Sequence, residues 1–235
     1  MLPAHLIYLI ALSFKLLGVS VLSIRAVAVV FGLGTVAAAY FTDKELFGRK
    51  WGLVLAFLLA VSRWDVNWSR IGMHGVTVPF FELLTLGLIV RAIRRQRLID
   101  YTLAGLMLGL GLCFYFSFRL FPIVIGLFLG VLWLTRHDLL RTSWRGLILF
   151  GLSAAVAYVP IAQFSVRHAD VFWSRVGDTS IFKDKTPEAG WQAVVQTTQA
   201  HLLMFNYRGD GNGRHNLPAE PMLDPISGTL LVVGL

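Results

Sequence analysis

Apolar residues fall in successive runs along this chain, broken by short charged segments, until a single long polar stretch occupies residues 165–225. The first run, residues 3–17, is interrupted by His5 and Lys15. It is short against the roughly twenty residues a bilayer requires and reads as an interfacial or half-inserted helix. A full span follows at residues 23–42, closed by Asp43-Lys44-Glu45-Leu46-Phe47-Gly48-Arg49-Lys50. The shorter run 51–62 leads into residues 63–75, whose mixture of polar residues and tryptophans reads as a loop. Residues 76–90 return to a second basic cluster, Arg91-Ala92-Ile93-Arg94-Arg95-Gln96-Arg97. Residues 101–116 and 120–135 pair across a tight corner, Ser117-Phe118-Arg119, and a third basic cluster spans 136–145. Residues 146–164 form the last complete span, and 226–235 open another. The pattern predicts an all-α, polytopic membrane bundle in three parts: a helical region over 1–164, a loop region over 165–225, and the start of a further helix over 226–235.

Composition strengthens this reading. Hydrophobic residues make up 56% of the chain and charged ones 14%, against about a quarter charged in an ordinary soluble domain. The net charge of +8 does not point to nucleic acid, because its distribution is that of membrane loops. Residues 165–225 carry six basic and seven acidic side chains, whereas the three clusters at 43–50, 91–98 and 136–146 hold ten Lys and Arg. Basic-rich loops stay on the cytoplasmic side. Residues 63–74, 117–119 and 165–225 then face the opposite side, where several polar segments gather at the water boundary. Runs of about sixteen residues rise only about 24 Å, so the 101–135 pair is expected to stop short and leave Arg119 below the surface in a cavity. Cys113 is the lone cysteine and lies in an apolar run, which excludes a disulfide framework and a cysteine metal site. No phosphate-binding P-loop, GxGxxG or His-Glu-x-x-His occurs, so neither a metal nor a cofactor is expected.

Several short patterns, in order, resemble the bacterial GT-C glycosyltransferases related to protein O-mannosyltransferases and lipid A aminoarabinose transferases. They are Pro3…Tyr8, Phe14-Lys15-Leu16-Leu17-Gly18 with Arg25, Leu46-Phe47-Gly48-Arg49 and Ser69-Arg70-Ile71-Gly72. Further along come Gly105…Gly109-Leu110…Tyr115…Arg119…Pro122, Pro160…Phe164…Arg167, Phe172-Trp173-Ser174-Arg175, and Gly209-Asp210…Arg214-His215-Asn216-Leu217-Pro218. The resemblance implies a polytopic enzyme of the bacterial inner membrane that moves a sugar from a polyprenyl-phosphate carrier to an extracytoplasmic lipid, glycan or protein acceptor. It also implies a catalytic acidic residue in a loop that comes before the point where this chain opens. On that basis the chain reads as a fragment or a misplaced start, inactive as it stands.

A polyprenyl-phosphate donor leaves a phosphate behind, and arginine binds phosphate oxygens in a bidentate fork. Arg70 and Arg119 sit at the extracytoplasmic ends of apolar runs and are the first candidates for that role. Arg175, Arg214, His215 and Asn216 are further candidates for substrate or phosphate binding, and His74 for proton or hydrogen-bond donation. The alternatives are plain: Arg70 as an interfacial anchor beside Trp64 and Trp68, Arg175 as a membrane-surface pin, and Arg214-His215-Asn216 as a loop held by its own hydrogen bonds. Asp210, Glu220 and Asp224 are the carboxylates near that loop, suited to sugar hydroxyls, and Asp65 stands among tryptophans. Two other classes stay open: a transporter or flippase subunit, for which only Glu82 and Pro79 near a span speak, and a non-catalytic accessory protein or remnant.

Overall fold

The computed structural model describes residues 4–178, 180–213 and 216–234, with the side chains of Arg175 and Val176 outside that description. Eleven α-helices and no strand occur among the described residues. They are α1 (His5–Leu17), α2 (Val21–Phe47), α3 (Arg49–Val61), α4 (Arg63–Arg70), α5 (Thr77–Arg95), α6 (Leu98–Phe114), α7 (Phe121–Thr142), α8 (Trp144–Arg167), α9 (Ala169–Asp178), α10 (Pro187–Leu203) and α11 (Pro225–Gly234). Short 3-10 turns, His74–Val76 and Phe116–Leu120, lead into α5 and α7. The chain divides into two compact units. The larger comprises Leu2–Ala60 and Trp68–Gln163, and the smaller Val61–Asn67 and Phe164–Leu235.

Four helical stretches are long and apolar enough to cross a membrane: Val21–Phe47, His74–Arg95, Phe116–Thr142 and Trp144–Arg167. Their lengths exceed the expected runs because the charged clusters prolong helices rather than end them. Arg, Lys and Glu are good helix formers wherever water can solvate them. Thus α2, at 27 residues, rises about 40 Å and holds Asp43, Lys44 and Glu45 within its last two turns. The run expected to stop at residue 135 likewise continues to Thr142, with its kink at Arg136 (φ −143°, ψ 49°). Of the 101–135 pair, α6, at 17 residues, is as short as expected. The segment 63–75 departs most from expectation, since its first eight residues form α4. Gly18 (φ 81°) and Gly48 (φ 97°) end α1 and α2 at a positive φ that glycine adopts without strain.

The larger unit packs α2, α5 and α6 around an aromatic centre. Phe81 meets Phe114 at 4.9 Å between centroids, Phe31 meets Phe114 at 5.6 Å, and Phe118 meets Phe121 at 5.2 Å. Small residues allow the helices to close up. Gly87 faces the Phe41 ring and the Thr42 hydroxyl, and that hydroxyl donates to the Leu83 carbonyl at 2.6 Å. At the basic end, the buried carboxylates of Asp100 and Glu45 accept from Arg91 and Arg95, and Arg94 donates to the Glu45 backbone carbonyl. Much of the second basic cluster is therefore spent joining α2, α5 and α6. Arg91–Asp100 is the more buried of the two pairs, and deleting one member of a buried pair ordinarily costs about 3–5 kcal/mol. Gln96, left-handed at the end of α5, donates from Nε2 to the Ile93 carbonyl and to Ser143 Oγ.

The outer faces of α7 and α8 expose Ile123, Leu127, Leu134, Leu152 and Val156. In water a patch of this extent would drive association; in lipid it is the solvated surface. Pro160 lies inside α8 and removes one rung of its backbone ladder, which membrane helices tolerate where neighbours re-satisfy the freed carbonyl.

Candidate functional site

In the larger unit the polar candidates collect around the break that follows α6. Tyr115 is extended (φ −148°, ψ 147°), so the helix stops there and a 3-10 turn carries Arg119 to the start of α7. Three consecutive rings at this break each hold a nitrogen-bearing side chain. His5 packs on Phe114 with centroids 5.6 Å apart, His74 stacks on Tyr115 at 6.2 Å, and the Arg119 guanidinium lies 4.6 Å from the Phe116 centroid. The Arg119 side chain is half-buried and lies within electrostatic reach of Tyr158 on α8. The neighbouring Ala157 carbonyl accepts from the Cys113 thiol at 3.4 Å.

The segment bearing His74 is set by close approaches. Gly32 of α2 has no room for a Cβ against Ser69, Gly72 abuts Ile24, and Gly75 lies under the Trp68 ring. The His74 carbonyl accepts from the Thr77 hydroxyl at 2.8 Å, fixing the turn into α5. Arg70 ends α4 with its side chain exposed. His74 and Arg119 thus meet adjacent rings of one turn, Tyr115 and Phe116, while Arg70 stays on the surface. His5 figures in the sequence only as an interruption of an apolar run. Its signal was the cost of a polar ring inside such a run, and its Nδ1 is buried without a hydrogen bond among the described residues.

The remaining candidates belong to the smaller unit. Arg175 lies on α9, where the buried Phe172 and the exposed Trp173 meet edge to face at 5.1 Å. Arg214 and His215 lie outside the described residues. Asn216 is buried, and its Nδ2 donates to the carbonyls of Glu220 at 2.9 Å and Pro221 at 3.2 Å. The segment around it folds back on itself. Met222 and Leu223 donate from their backbone N–H to the Met204 and Phe205 carbonyls at 3.0 and 3.1 Å, and the Ala219 N–H donates to the Asp210 carbonyl at 3.0 Å. Asp210 Oδ1 accepts from the Asn212 N–H, a local turn of the kind aspartate favours. Asp224 caps α11, accepting from the Ile226 and Ser227 N–H groups at 3.0 Å each; a hydrogen bond from the Ser227 side chain, with those backbone bonds, holds its carboxyl below the usual carboxylate range.

Asp65, in the first turn of α4, behaves oppositely: burial pushes its carboxyl from 3.8 up to about 6. Between those values the native state keeps a proton that the unfolded chain has lost. Stability contributed by this group therefore falls as pH rises from about 4 to about 6, and is flat above that window. Thermal melts of the detergent-solubilised protein across this range should show Asp65→Asn flattening that fall. An unchanged slope would assign it to other groups.

A family model for dolichyl-phosphate-mannose-protein mannosyltransferases matches residues 3–162. The chain belongs to that family. No curated protein and no solved structure matches it. As a member of the dolichyl-phosphate-mannose-protein mannosyltransferase family, the chain is a membrane glycosyltransferase of the GT-C type, and its apolar helices are those of an integral membrane protein in contact with lipid. The matched region contains His5, Arg70, His74, Tyr115, Arg119 and Tyr158, whereas Arg175, Arg214, His215 and Asn216 lie beyond it. Among the described residues no group of three metal-ligating side chains comes together.

Proposed function

We propose that this protein serves the transfer of a sugar from a polyprenyl-phosphate carrier to an extracytoplasmic acceptor, with Arg119 and Arg70 as the cations that receive the departing phosphate. The observation that carries the reading is the family match over residues 3–162. In such a transfer the bond between the sugar's anomeric carbon and the phosphate oxygen breaks, negative charge grows on that oxygen, and the anomeric carbon bonds to the acceptor. Fixed cations aimed at the growing charge lower the barrier. Arginine keeps its charge and offers a planar fork of donors to phosphate oxygens. The packing of Arg119 on Phe116 orients that fork in advance, and His74 on the adjacent Tyr115 adds a hydrogen-bond donor. We assign Arg175, Arg214, His215 and Asn216 to substrate binding in the polar segment; the charge pattern supports an extracytoplasmic position for that segment at the inner membrane.

The sidedness is open to a direct test. Single cysteines introduced as His137→Cys and Asn212→Cys should react with a membrane-impermeant maleimide from opposite sides of sealed vesicles. Labelling of both from one side would overturn the assignment of the polar segment to the extracytoplasmic face. Donor engagement is tested by thermal protection of the purified protein with undecaprenyl phosphate; an unshifted melting temperature at saturating lipid would overturn the carrier assignment.

A further inference from the structure

The smaller unit contains a cavity of about 600 Å³ whose lining includes Arg63 from α4, Asn206, Glu220 and Asp224 from the folded-back segment, and Val232 and Val233 from α11. That volume falls within the range that holds small ligands, about 300–1,000 Å³. Its rim is pre-organised by hydrogen bonds to carbonyls. Arg63 Nη2 donates to the Pro221 carbonyl at 2.7 Å, and Asn206 Nδ2 donates to the Gly228 carbonyl at 3.1 Å. The close approach is possible because Gly228 has no Cβ to meet Asn206 and Gly209 none to meet the Glu220 carbonyl. Asp224 is held by the first N–H groups of α11. These contacts fix the backbone of the wall while leaving the Glu220 carboxylate without a hydrogen bond or ion pair among the described residues.

The chemistry of this lining is specific. Two carboxylates accept hydrogen bonds, Arg63 keeps further N–H donors, Asn206 and Thr229 add an amide and a hydroxyl, and the rest of the wall is glycine, proline, leucine and valine. Acceptors for hydroxyl groups, a planar donor and an aliphatic surface for C–H faces together suit a polyhydroxylated ring. A phosphate is disfavoured by the two carboxylates.

We propose that this cavity is a saccharide-binding site, with Glu220 and Arg63 as its polar contacts. The inference rests on the reading of the chain as a sugar transferase and deepens it by giving the sugar a place in the smaller unit. The sugar could be that of the donor or that of a glycan acceptor, and competition separates the two. Saturation-transfer NMR on the full chain in detergent should detect binding of at least one of the methyl glycosides of mannose, glucose, galactose and arabinose. Glu220→Gln should reduce the signal severalfold, and Val232→Trp, which fills the cavity from an exposed position on α11, should abolish it without lowering the melting temperature. Displacement by an undecaprenyl-phosphate-linked sugar but not by undecaprenyl phosphate assigns the site to the donor's sugar. Persistence of the signal under both assigns it to an acceptor glycan. No binding of any panel member, or full binding by the Val232→Trp protein, overturns the inference. Thermal protection by undecaprenyl phosphate in that same sample would leave the transferase reading standing.

Discussion

Replacing Arg70 and Arg119 together by alanine should abolish the thermal protection that undecaprenyl phosphate gives the purified protein. A hydrogen bond to a charged group contributes about 1.5–3 kcal/mol, so losing two arginine–phosphate contacts should weaken binding by about 3–6 kcal/mol, or 10²–10⁴-fold. The two sites should differ in what else they disturb. Arg70 is exposed at the end of α4, so Arg70→Ala alone should leave the ligand-free melting temperature nearly unchanged. Arg119 is half-buried against Phe116, and its loss removes a cation–π contact of order 1 kcal/mol. Arg119→Lys separates charge from geometry: it keeps the positive charge but loses the fork, and should recover only part of the affinity. Double-mutant protein that binds the lipid as tightly as wild type would remove both arginines from the site.

The long spans were legible because the membrane makes length and apolarity the deciding variables; α2 and α8 needed nothing more than a run of apolar residues. Helix α4 was not legible, since Arg63-Trp64-Asp65-Val66-Asn67-Trp68-Ser69-Arg70 contains no apolar run. Its indication is instead the i, i+4 pair Trp64 and Trp68, which share a face at helical spacing. The basic clusters were legible as charge and misleading as loops, because Arg91, Arg94 and Arg95 are solvated or paired while still helical. For the candidate site, residue types could be read but not their assembly. An arginine between two spans marks itself by its cost in lipid, whereas the meeting of His5, His74 and Arg119 on three successive rings is a tertiary event. The cavity in the smaller unit depends in the same way on Arg63 and Glu220 being brought together across most of the chain, through the Pro221 carbonyl.

Enlarging Gly105 or Gly109 should destabilise the larger unit, and a leucine at either position should prevent it from folding to a stable state. The two glycines lie one turn apart on α6, in the small-xxx-small spacing that lets membrane helices approach closely. A Cβ on Gly105 would collide with the Phe150 carbonyl and the Ser153 hydroxyl, and one on Gly109 with the Ala154 carbonyl and the Ala157 methyl. Because most of these obstacles are backbone or short side chains, neither can swing aside, and α8 must shift bodily. Overpacking a tight contact costs about 1–3 kcal/mol for a single added group. Gly109→Ala should therefore lower the melting temperature in detergent by several degrees, and Gly105→Leu or Gly109→Leu should yield protein that aggregates on extraction. Gly126 and Gly130, on α7, have open space where a Cβ would go, so Gly126→Leu is the matched control and should extract like wild type. Equal tolerance at positions 109 and 126 would mean that α6 and α8 do not touch along this seam. The effect matters for function because the same two helices carry Cys113 and Tyr158 to the turn that presents Arg119. A separation of α6 from α8 should accordingly weaken lipid-phosphate binding even where Gly109→Ala still yields folded protein.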